Sequence, residues 1–504
     1  MGDAPHFRIG TRGSDLARWQ AHYVRNLIES RGGTCDIQIL STQGDREQVQ
    51  AFEKLEGKGF FTKEIEQALL DHTVDLAVHS HKDLETRQPE GLTIAAVPAR
   101  ATAQDVLLIR HDARKDRPWL PLDKGATVGT SSVRRRDQLL LLRPDLNIQA
   151  LRGNVPTRVD RLREGRYDAI VLAAAGLDRL ELDLSDLVRL DLDPRHFVPA
   201  PAQGALALQM RENDPKLDWL RALGDAQAAT DIESERAILR ALEGGCQLPF
   251  GAHVRLSGGL RAFLQTAAGP RRIVASHASS ALRQLQESPH PKRILITRAP
   301  KKDVLHRLAA SAGHTLLEWS GNVLVATGAD TPSTACNWVW LTSPGSAAMA
   351  ADWIRKHDGV RIAAAGAGTA ESIPDDLLAR VNHIGHGDPV SAWTAFAANR
   401  TGQDHIAIPH STLSKRRWET GHDTPFTLHP WPAYSAEPRP ATAPKADVVC
   451  FTSPSNVHHW TGTQPPCVVA IGPTTSQALS ERGWTHKTAE HPDAFGIWEA
   501  LEAG

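Results

Sequence analysis

Ala126-Thr-Val-Gly-Thr-Ser-Ser-Val-Arg-Arg-Arg136 joins a short apolar run, a hydroxyl-bearing turn and a cationic helix start in one stretch. Ala126 to Gly129 reads as a strand, Thr130-Ser-Ser132 as the turn, and the helix that follows ends at Pro144. The same grammar recurs on either side. Phe7-Arg-Ile-Gly-Thr11 leads into Arg12-Gly-Ser14 and a helix from Asp15 to about Arg31, and Val74 to His79 leads into Ser80-His-Lys82-Asp83. Asn147 to Leu151 leads into Arg152-Gly-Asn154 and a helix start with Thr157 and Arg158; Tyr167 to Ala173 is a further apolar strand. Strands alternating with helices predict parallel α/β sheets, and ligands of such sheets sit beyond the carboxyl ends of the strands.

Those ends carry Arg, Lys, Ser, Thr and Gly again and again. Helix N-termini present unpaired N–H groups and a positive dipole end, and guanidiniums clamp carboxylates at two points. Four such ends together point to a ligand with several anionic groups. Ser131 or Ser132 could equally cap a helix, and at least one of Arg134, Arg135 and Arg136 belongs to a solvated helix face. Lys82-Asp83 reads either as a structural ion pair or as an acid placed to meet developing positive charge.

With 504 residues, 41% hydrophobic and 23% charged, the chain is expected to be a soluble protein of two to four domains. A net charge of −1 supplies no global field toward nucleic acid or membrane. The N-terminus lacks an apolar signal core and no run is long enough to span a bilayer, so a cytoplasmic location is expected. Cys35, Cys246, Cys336, Cys450 and Cys467 lie far apart, without metal spacing, which fits a reducing compartment. The polar segment Gln43 to Gly59 reads as a long loop of the kind that forms lids. Arg195 to Arg211, with Gln203, reads as a strand returning to the first lobe. In Leu242-Glu-Gly-Gly-Cys-Gln-Leu-Pro-Phe-Gly251 the two glycines free the backbone beside Cys246. Cys246 is then either a presented attachment point or a small buried hydrophobe.

These residues match a family. Arg8-Ile-Gly-Thr-Arg-Gly-Ser-Asp-Leu-Ala17, Ala77-Val-His-Ser-His-Lys-Asp-Leu84, Gly129-Thr-Ser-Ser-Val-Arg-Arg135, Leu151-Arg-Gly-Asn-Val155, Gln203-Gly-Ala205 and Leu242-Glu-Gly-Gly-Cys246 resemble hydroxymethylbilane synthase, also called porphobilinogen deaminase, over residues 5 to about 280. The resemblance implies an enzyme that joins four porphobilinogen molecules into a linear tetrapyrrole and releases ammonia each time. It implies two α/β lobes like those of periplasmic binding proteins (about 5–101 with 200–224, and about 105–197) and a small α+β domain at about 230–285, all within 1–288. By resemblance Cys246 holds a dipyrromethane cofactor through a thioether. Asp83 hydrogen-bonds pyrrole N–H groups and stabilises the cationic azafulvene. Lys82, Ser131, Arg134, Arg135, Arg12, Ser14, Arg152 and Arg158 bind acetate and propionate arms, and Gln203 lies at the hinge side of the cleft. The chain departs from the family's pattern at Thr102-Ala-Gln104, where an arginine is missing before Asp105, at Glu85-Thr86, and at Ala202, where glycine is common.

Ten of the 13 tryptophans follow residue 290, and Gln284 to Lys292 reads as a linker. Beyond it an approximate repeat pairs Trp340-Leu-Thr-Ser-Pro344 and Ile362 to Ala370 with Phe451-Thr-Ser-Pro-Ser455 and Val469 to Thr475. Each copy puts hydroxyls and a glycine-rich helix start at a strand end, as a binding cleft or as ordinary capped turns. This part is similar to uroporphyrinogen-III synthase, which implies two α/β lobes within 289–504, at about 292–322 with 436–504 and at about 325–430. It would cyclise hydroxymethylbilane with inversion of the last ring. By that resemblance Thr342, Ser343, Ser453, Thr474 and Thr475 bind carboxylates, and Tyr434 is either the acid that assists hydroxyl loss or a packed tyrosine. No metal is expected. The partners are small molecules, with neither nucleic acid nor membrane, and a monomer is expected. Two rival readings stay open: a two-lobed anion receptor, and a deaminase with a structural second half.

Overall fold

The computed structural model describes residues 4–41, 62–115, 117, 119–242, 248–254, 258–287, 290–300, 303–332, 336–385, 389–412, 414 and 425–502. Cys246 and the segment from Gln43 to Gly59 lie outside the described residues. The chain forms two compact units, Met1–Ala113 with Gly125–Leu140 and Asp145–Ser288, and Arg114–Lys124 with Leu141–Pro144 and Pro289–Gly504.

In the first unit the order is β1 (His6–Arg12), α1 (Asp15–Ser30), β2 (Thr34–Leu40), α2 (Lys63–Leu70), β3 (Leu76–Ser80), β4 (Leu92–Ala96), β5 (Asp105–Arg110), β6 (Thr127–Gly129), α3 (Val133–Leu142), β7 (Asn147–Gln149), α4 (Val155–Arg163), β8 (Ala169–Ala173), α5 (Ala174–Leu180), β9 (Leu187–Leu192), β10 (Leu206–Arg211), α6 (Leu217–Arg221), α7 (Ala226–Ala241), β11 (Phe250–Val254), β12 (Leu260–Thr266), β13 (Gly269–Ala275) and α8 (Ala278–Gln286). Helix α1 shows how the sequence sets an element. Ser14 caps it by accepting from the Ala17 N–H, while Gln20, Ala21, Val24 and Ile28 bury one face at helical spacing.

The first lobe's sheet runs β2-β1-β3-β10-β4 and the second lobe's runs β7-β6-β8-β5-β9. The expectation of parallel sheets needs correction at two strands: β10 is antiparallel to β3 and β4, and β5 is antiparallel to β8 and β9. The chain enters both from the cleft end, where it crosses between lobes, so each must run against its parallel neighbours. Val106 to Ile109 of β5 are wholly buried, as a strand covered on both faces requires.

The two crossings, residues 97–104 and 193–205, are stitched together. Arg100 Nε donates to Gln203 O at 2.9 Å, the Ala101 N–H to Gly204 O at 3.2 Å, and Gln203 Nε2 to Ala103 O at 2.7 Å. Ala202 and Gly204 both take left-handed φ, 62° and 85°. The family's usual glycine at 202 therefore has a conformational reason, because a side chain is strained there. The third piece of this unit is the antiparallel meander β11-β12-β13, whose Phe250, Ala252, Leu260, Ala262 and Ile273 pack on Ile238 of α7 and on Ala281 and Leu285 of α8.

The second unit continues with β14 (Arg293–Ile296), α9 (Val304–Ser311), β15 (Thr315–Glu318), β16 (Asn322–Ala326), β17 (Trp338–Leu341), α10 (Pro344–Lys356), β18 (Arg361–Ala364), α11 (Ala367–Ala370), β19 (Val381–Ile384), α12 (Pro389–Ala397), β20 (His405–Ser411), β21 (Thr427–Pro438), β22 (Val448–Phe451), α13 (Pro454–His458), β23 (Cys467–Ala470), α14 (Pro473–Glu481), β24 (Lys487–Thr488) and α15 (Ala494–Glu502). One sheet, β15-β14-β22-β23-β24, is wholly parallel; the other, β16-β21-β20-β17-β18-β19, is parallel except where β16 meets β21. Trp338, Trp340 and Trp393 build one core of the larger sheet with Phe396, where the rings of Trp340 and Phe396 stack at 4.8 Å. No helix among the described residues is long and apolar enough to cross a membrane.

Candidate active site

The strand ends of the first unit carry the residues that the sequence singled out. Arg12 closes β1, half-buried, and Ser14 is engaged as the cap of α1. Lys82 and Asp83 stand on a single 3-10 turn after β3, the lysine half-buried and the aspartate exposed. The Ser131 hydroxyl donates to Leu151 O at 2.7 Å and accepts from the Leu151 N–H at 3.1 Å, welding the ends of β6 and β7. Arg152 and Arg158 follow β7, both half-buried, with Arg158 Nε donating to Gly153 O at 2.7 Å.

Arg134 and Arg135, expected to bind carboxylate arms, also have a partner within the protein. Both turn inward onto Asp105, which is wholly buried at the start of β5. Arg134 Nη1 reaches Oδ2 at 2.8 Å, while Arg135 Nε and Nη2 reach Oδ1 at 2.9 and 2.7 Å. Arg134 also donates to Val198 O and Arg135 to Val171 O. Gln203 Nε2 adds a bond to Asp105 Oδ1 at 3.1 Å, and its Oε1 accepts from Lys82 Nζ at 3.2 Å. Burial alone would raise the Asp105 pKa, but the guanidiniums of Arg134 and Arg135 hold it well below the usual carboxylate range. Burial pushes the Lys82 ammonium down to about 8, with Asp83 opposing and Arg135 adding to the shift. Arg158 is pushed down to about 10 by burial, with Arg135 adding and Asp83 opposing. Lys82, Arg134, Arg135, Arg158 and Arg161 thus act on one another with Asp83 and Asp105 between them, a local cation excess in a nearly neutral chain.

Helix α7, which precedes Cys246 in the chain, grips this site by two adjacent residues. Arg236 Nη1 donates to His81 O at 3.0 Å and to Leu84 O at 3.3 Å, holding the turn that bears Lys82 and Asp83. Glu235, wholly buried, accepts two bonds from Arg100 at 2.8 and 2.9 Å, one from the Ala202 N–H at 2.8 Å and one from the Val254 N–H at 3.0 Å. Beneath the turn, His79 shares a 3.0 Å bond with Gln209. The parts played by Arg100, Asp105, Glu235 and Arg236 escaped the sequence reading. Each is a single charged residue whose partner is distant in the chain, so no spacing marks it.

In the second unit, Ser343 and Ser453 cap α10 and α13, accepting from the N–H groups of Ser346 at 3.2 Å and Asn456 at 3.3 Å. Tyr434 on β21 is buried, and its Oη lies 2.9 Å from Ser343 Oγ. Burial raises the phenol's pKa, with the Ser343 bond opposing, so the hydroxyl keeps its proton near neutrality. Thr342 is half-buried beside Ser343; Thr474 is half-buried in the first turn of α14, and Thr475 is buried in the same turn.

A family model described as the dipyromethane cofactor binding domain of porphobilinogen deaminase matches residues 7–218, and that of the porphobilinogen deaminase C-terminal domain matches 229–276. The model of uroporphyrinogen-III synthase HemD matches residues 427–499. Porphobilinogen deaminase of Maridesulfovibrio salexigens is 46% identical over 254 residues, covering 49% of this chain and 80% of that protein. Porphobilinogen deaminase of Phenylobacterium zucineum is 42% identical over 281 residues, 54% of this chain and 86% of that protein. Among solved structures, uroporphyrinogen-III synthetase from Helicobacter pylori aligns at 14% identity and a TM-score of 0.30, over 41% of this chain and 96% of that one. The periplasmic VFT2 domain of Bordetella pertussis BvgS aligns at 16% identity and a TM-score of 0.28, over 47% and 93%.

Proposed function

The chain belongs to the porphobilinogen deaminase family, and on that premise we propose that its first part joins four porphobilinogen molecules head to tail, with loss of ammonia, on a dipyrromethane held through Cys246. The observation that carries this reading is the cation excess at the strand ends. Five cationic groups share two carboxylates, and burial lowers the pKa of Lys82 and Arg158. Such a cluster suits a ligand that brings two carboxylates per ring. The dipyrromethane, when bound, supplies the pyrrole terminus to which each unit is added.

The chain's own residues do the rest. Arg12, Lys82, Arg152 and Arg158 hold acetate and propionate arms, with Ser14 and Ser131 shaping the strand ends that present them. Asp83, exposed on its turn, accepts pyrrole N–H bonds and faces the positive charge that develops as ammonia leaves. Arg134, Arg135 and Gln203 act from behind, through Asp105 and Lys82. Intact mass measurement tests the assignment: an addition of two pyrrole units is expected, absent in Cys246→Ser. An unmodified, active protein would overturn it.

For the second part, supported by the HemD match, the proposal is cyclisation of the linear product to uroporphyrinogen III with inversion of the last ring. Thr342, Ser343, Ser453, Thr474 and Thr475 would bind its carboxylates, and Tyr434, paired with Ser343, would protonate the departing hydroxyl so that it leaves as water. Tyr434→Phe should lower the type III share of the product while the chain stays folded, since one hydrogen bond is worth about 1 kcal/mol. An unchanged isomer ratio would make Tyr434 a packing residue. Failure of the unaltered chain to give the type III isomer would make the second unit a structural appendage. Both activities are assigned to a cytosolic monomer acting on small polycarboxylates.

A further inference from the structure

We infer that Asp105 is a positioning residue of the deaminase site, a permanent internal counter-ion that holds Lys82 in place as a cation through Gln203. Asp105 spends its acceptor capacity inside the protein, on Arg134, Arg135 and Gln203. Its bond to Gln203 settles which way the amide points. Nε2 donates to Asp105 at 3.1 Å and to Ala103 O at 2.7 Å, which leaves Oε1 to face Lys82 Nζ at 3.2 Å. The carboxylate therefore orients the amide, and the amide locates the ammonium.

The charge balance follows the same path. The charged groups acting on Lys82 are Asp83 on its own turn, Arg134 and Arg135 on α3, and Asp105 behind Gln203. Without Asp105 the lysine faces both guanidiniums with Asp83 as the sole opposing charge of that set, in a half-buried place where an ammonium is already weakened. Asp105 begins β5 where one crossing enters the second lobe, and Gln203 lies on the other crossing. One buried carboxylate thereby registers a lysine of the first lobe against two arginines of the second.

The inference rests on the deaminase reading only for its kinetic arm, so the test has two readouts. In the full chain with 13Cε-labelled lysine, Lys82 is assigned by its loss in Lys82→Arg and titrated by NMR. KM and kcat for porphobilinogen are followed against pH. Asp105→Asn should move the Lys82 titration down by about one pH unit and bring the alkaline rise in KM down by the same amount, with a smaller change in kcat. Asp105→Glu should restore part of the shift. Gln203→Leu leaves the Asp105–arginine bonds standing and should shift Lys82 in the same direction, so the test survives if Asp105→Asn fails to fold. A Lys82 titration unmoved in Gln203→Leu, or in a folded Asp105→Asn, overturns the inference. A shifted titration in a chain that never consumes porphobilinogen upholds the positioning role and sinks the deaminase reading instead.

Discussion

Replacing Glu235 by Leu should detach the small domain from the hinge of the first unit, and the structure sets the size of the effect. The carboxylate is wholly buried and its partner Arg100 is 13% exposed, joined by two bonds of 2.8 and 2.9 Å. Removing one partner of such a pair strands the other charge and costs about 3–5 kcal/mol. Glu235 also satisfies the N–H groups of Ala202 and Val254, and an unsatisfied buried donor costs about 1–3 kcal/mol. Glu235→Leu therefore belongs at the top of the pair range, about 5 kcal/mol, with Arg100→Leu nearer about 3 kcal/mol. The double substitution leaves no stranded charge and should cost less than the sum by about 2–3 kcal/mol. A chain of two units need not unfold in one step, so the assay is amide hydrogen exchange of peptides spanning residues 198–206 and 250–254. About 5 kcal/mol corresponds to exchange between three and four decades faster, roughly 3.7. Acceleration below about tenfold in Glu235→Leu, or single effects that simply add in the double variant, would refute the reasoning.

Acid should loosen the first lobe well above the carboxylate range. Burial pushes His79 down to about 4 and His81 to about 3, the latter helped by Arg236, so both imidazoles stay neutral in the fold while the unfolded chain protonates them near 6.5. Their stabilisation is complete above pH 6.5 and is lost as pH falls from there toward 4, by up to about 1.4 kcal/mol per pH unit for each ring. Urea midpoints at pH 7, 6 and 5 check this, and His81→Leu should roughly halve the slope. Ala202→Gly should be neutral to stabilising by about 1 kcal/mol, because it removes left-handed strain at φ 62° against the flexibility that glycine adds to the unfolded chain. Gly204→Ala should destabilise by more than about 2 kcal/mol, since φ is 85° and a Cβ would lie 2.5 Å from Ala101 O and Thr102 O. Thermal melts should show a lowered Tm for Gly204→Ala and an unchanged or raised one for Ala202→Gly.

Much of this was legible in the sequence because the fold repeats one local rule. A strand followed by a cationic or hydroxyl turn occurs at Arg12, Lys82, Ser131 and Arg152, and a helix comes next at all of these but Lys82, whose 3-10 turn leads to β4 instead. The strand directions of β5 and β10 were not legible, because an apolar run such as Val106 to Ile109 looks the same in either direction. Nor was the division of labour among the arginines. Arg134 and Arg135 read as ligand-binding groups from their place at a helix start; their bonds to Asp105, about 30 residues upstream, were not legible, because Asp105 stood out only for the arginine missing before it. Ala202 was visible as a departure; its left-handed backbone supplies the reason that spacing lacked.

The stitching of the two crossings has a mechanical consequence. The connecting segments, tied by the Arg100 and Gln203 side chains and by the backbone bond between Ala101 and Gly204, form a two-chain ribbon. A ribbon bends easily across its thin direction and resists shear between its edges. Sideways slip of one crossing past the other would break several of these bonds at once, so the register between the two lobes is fixed where the chain passes between them.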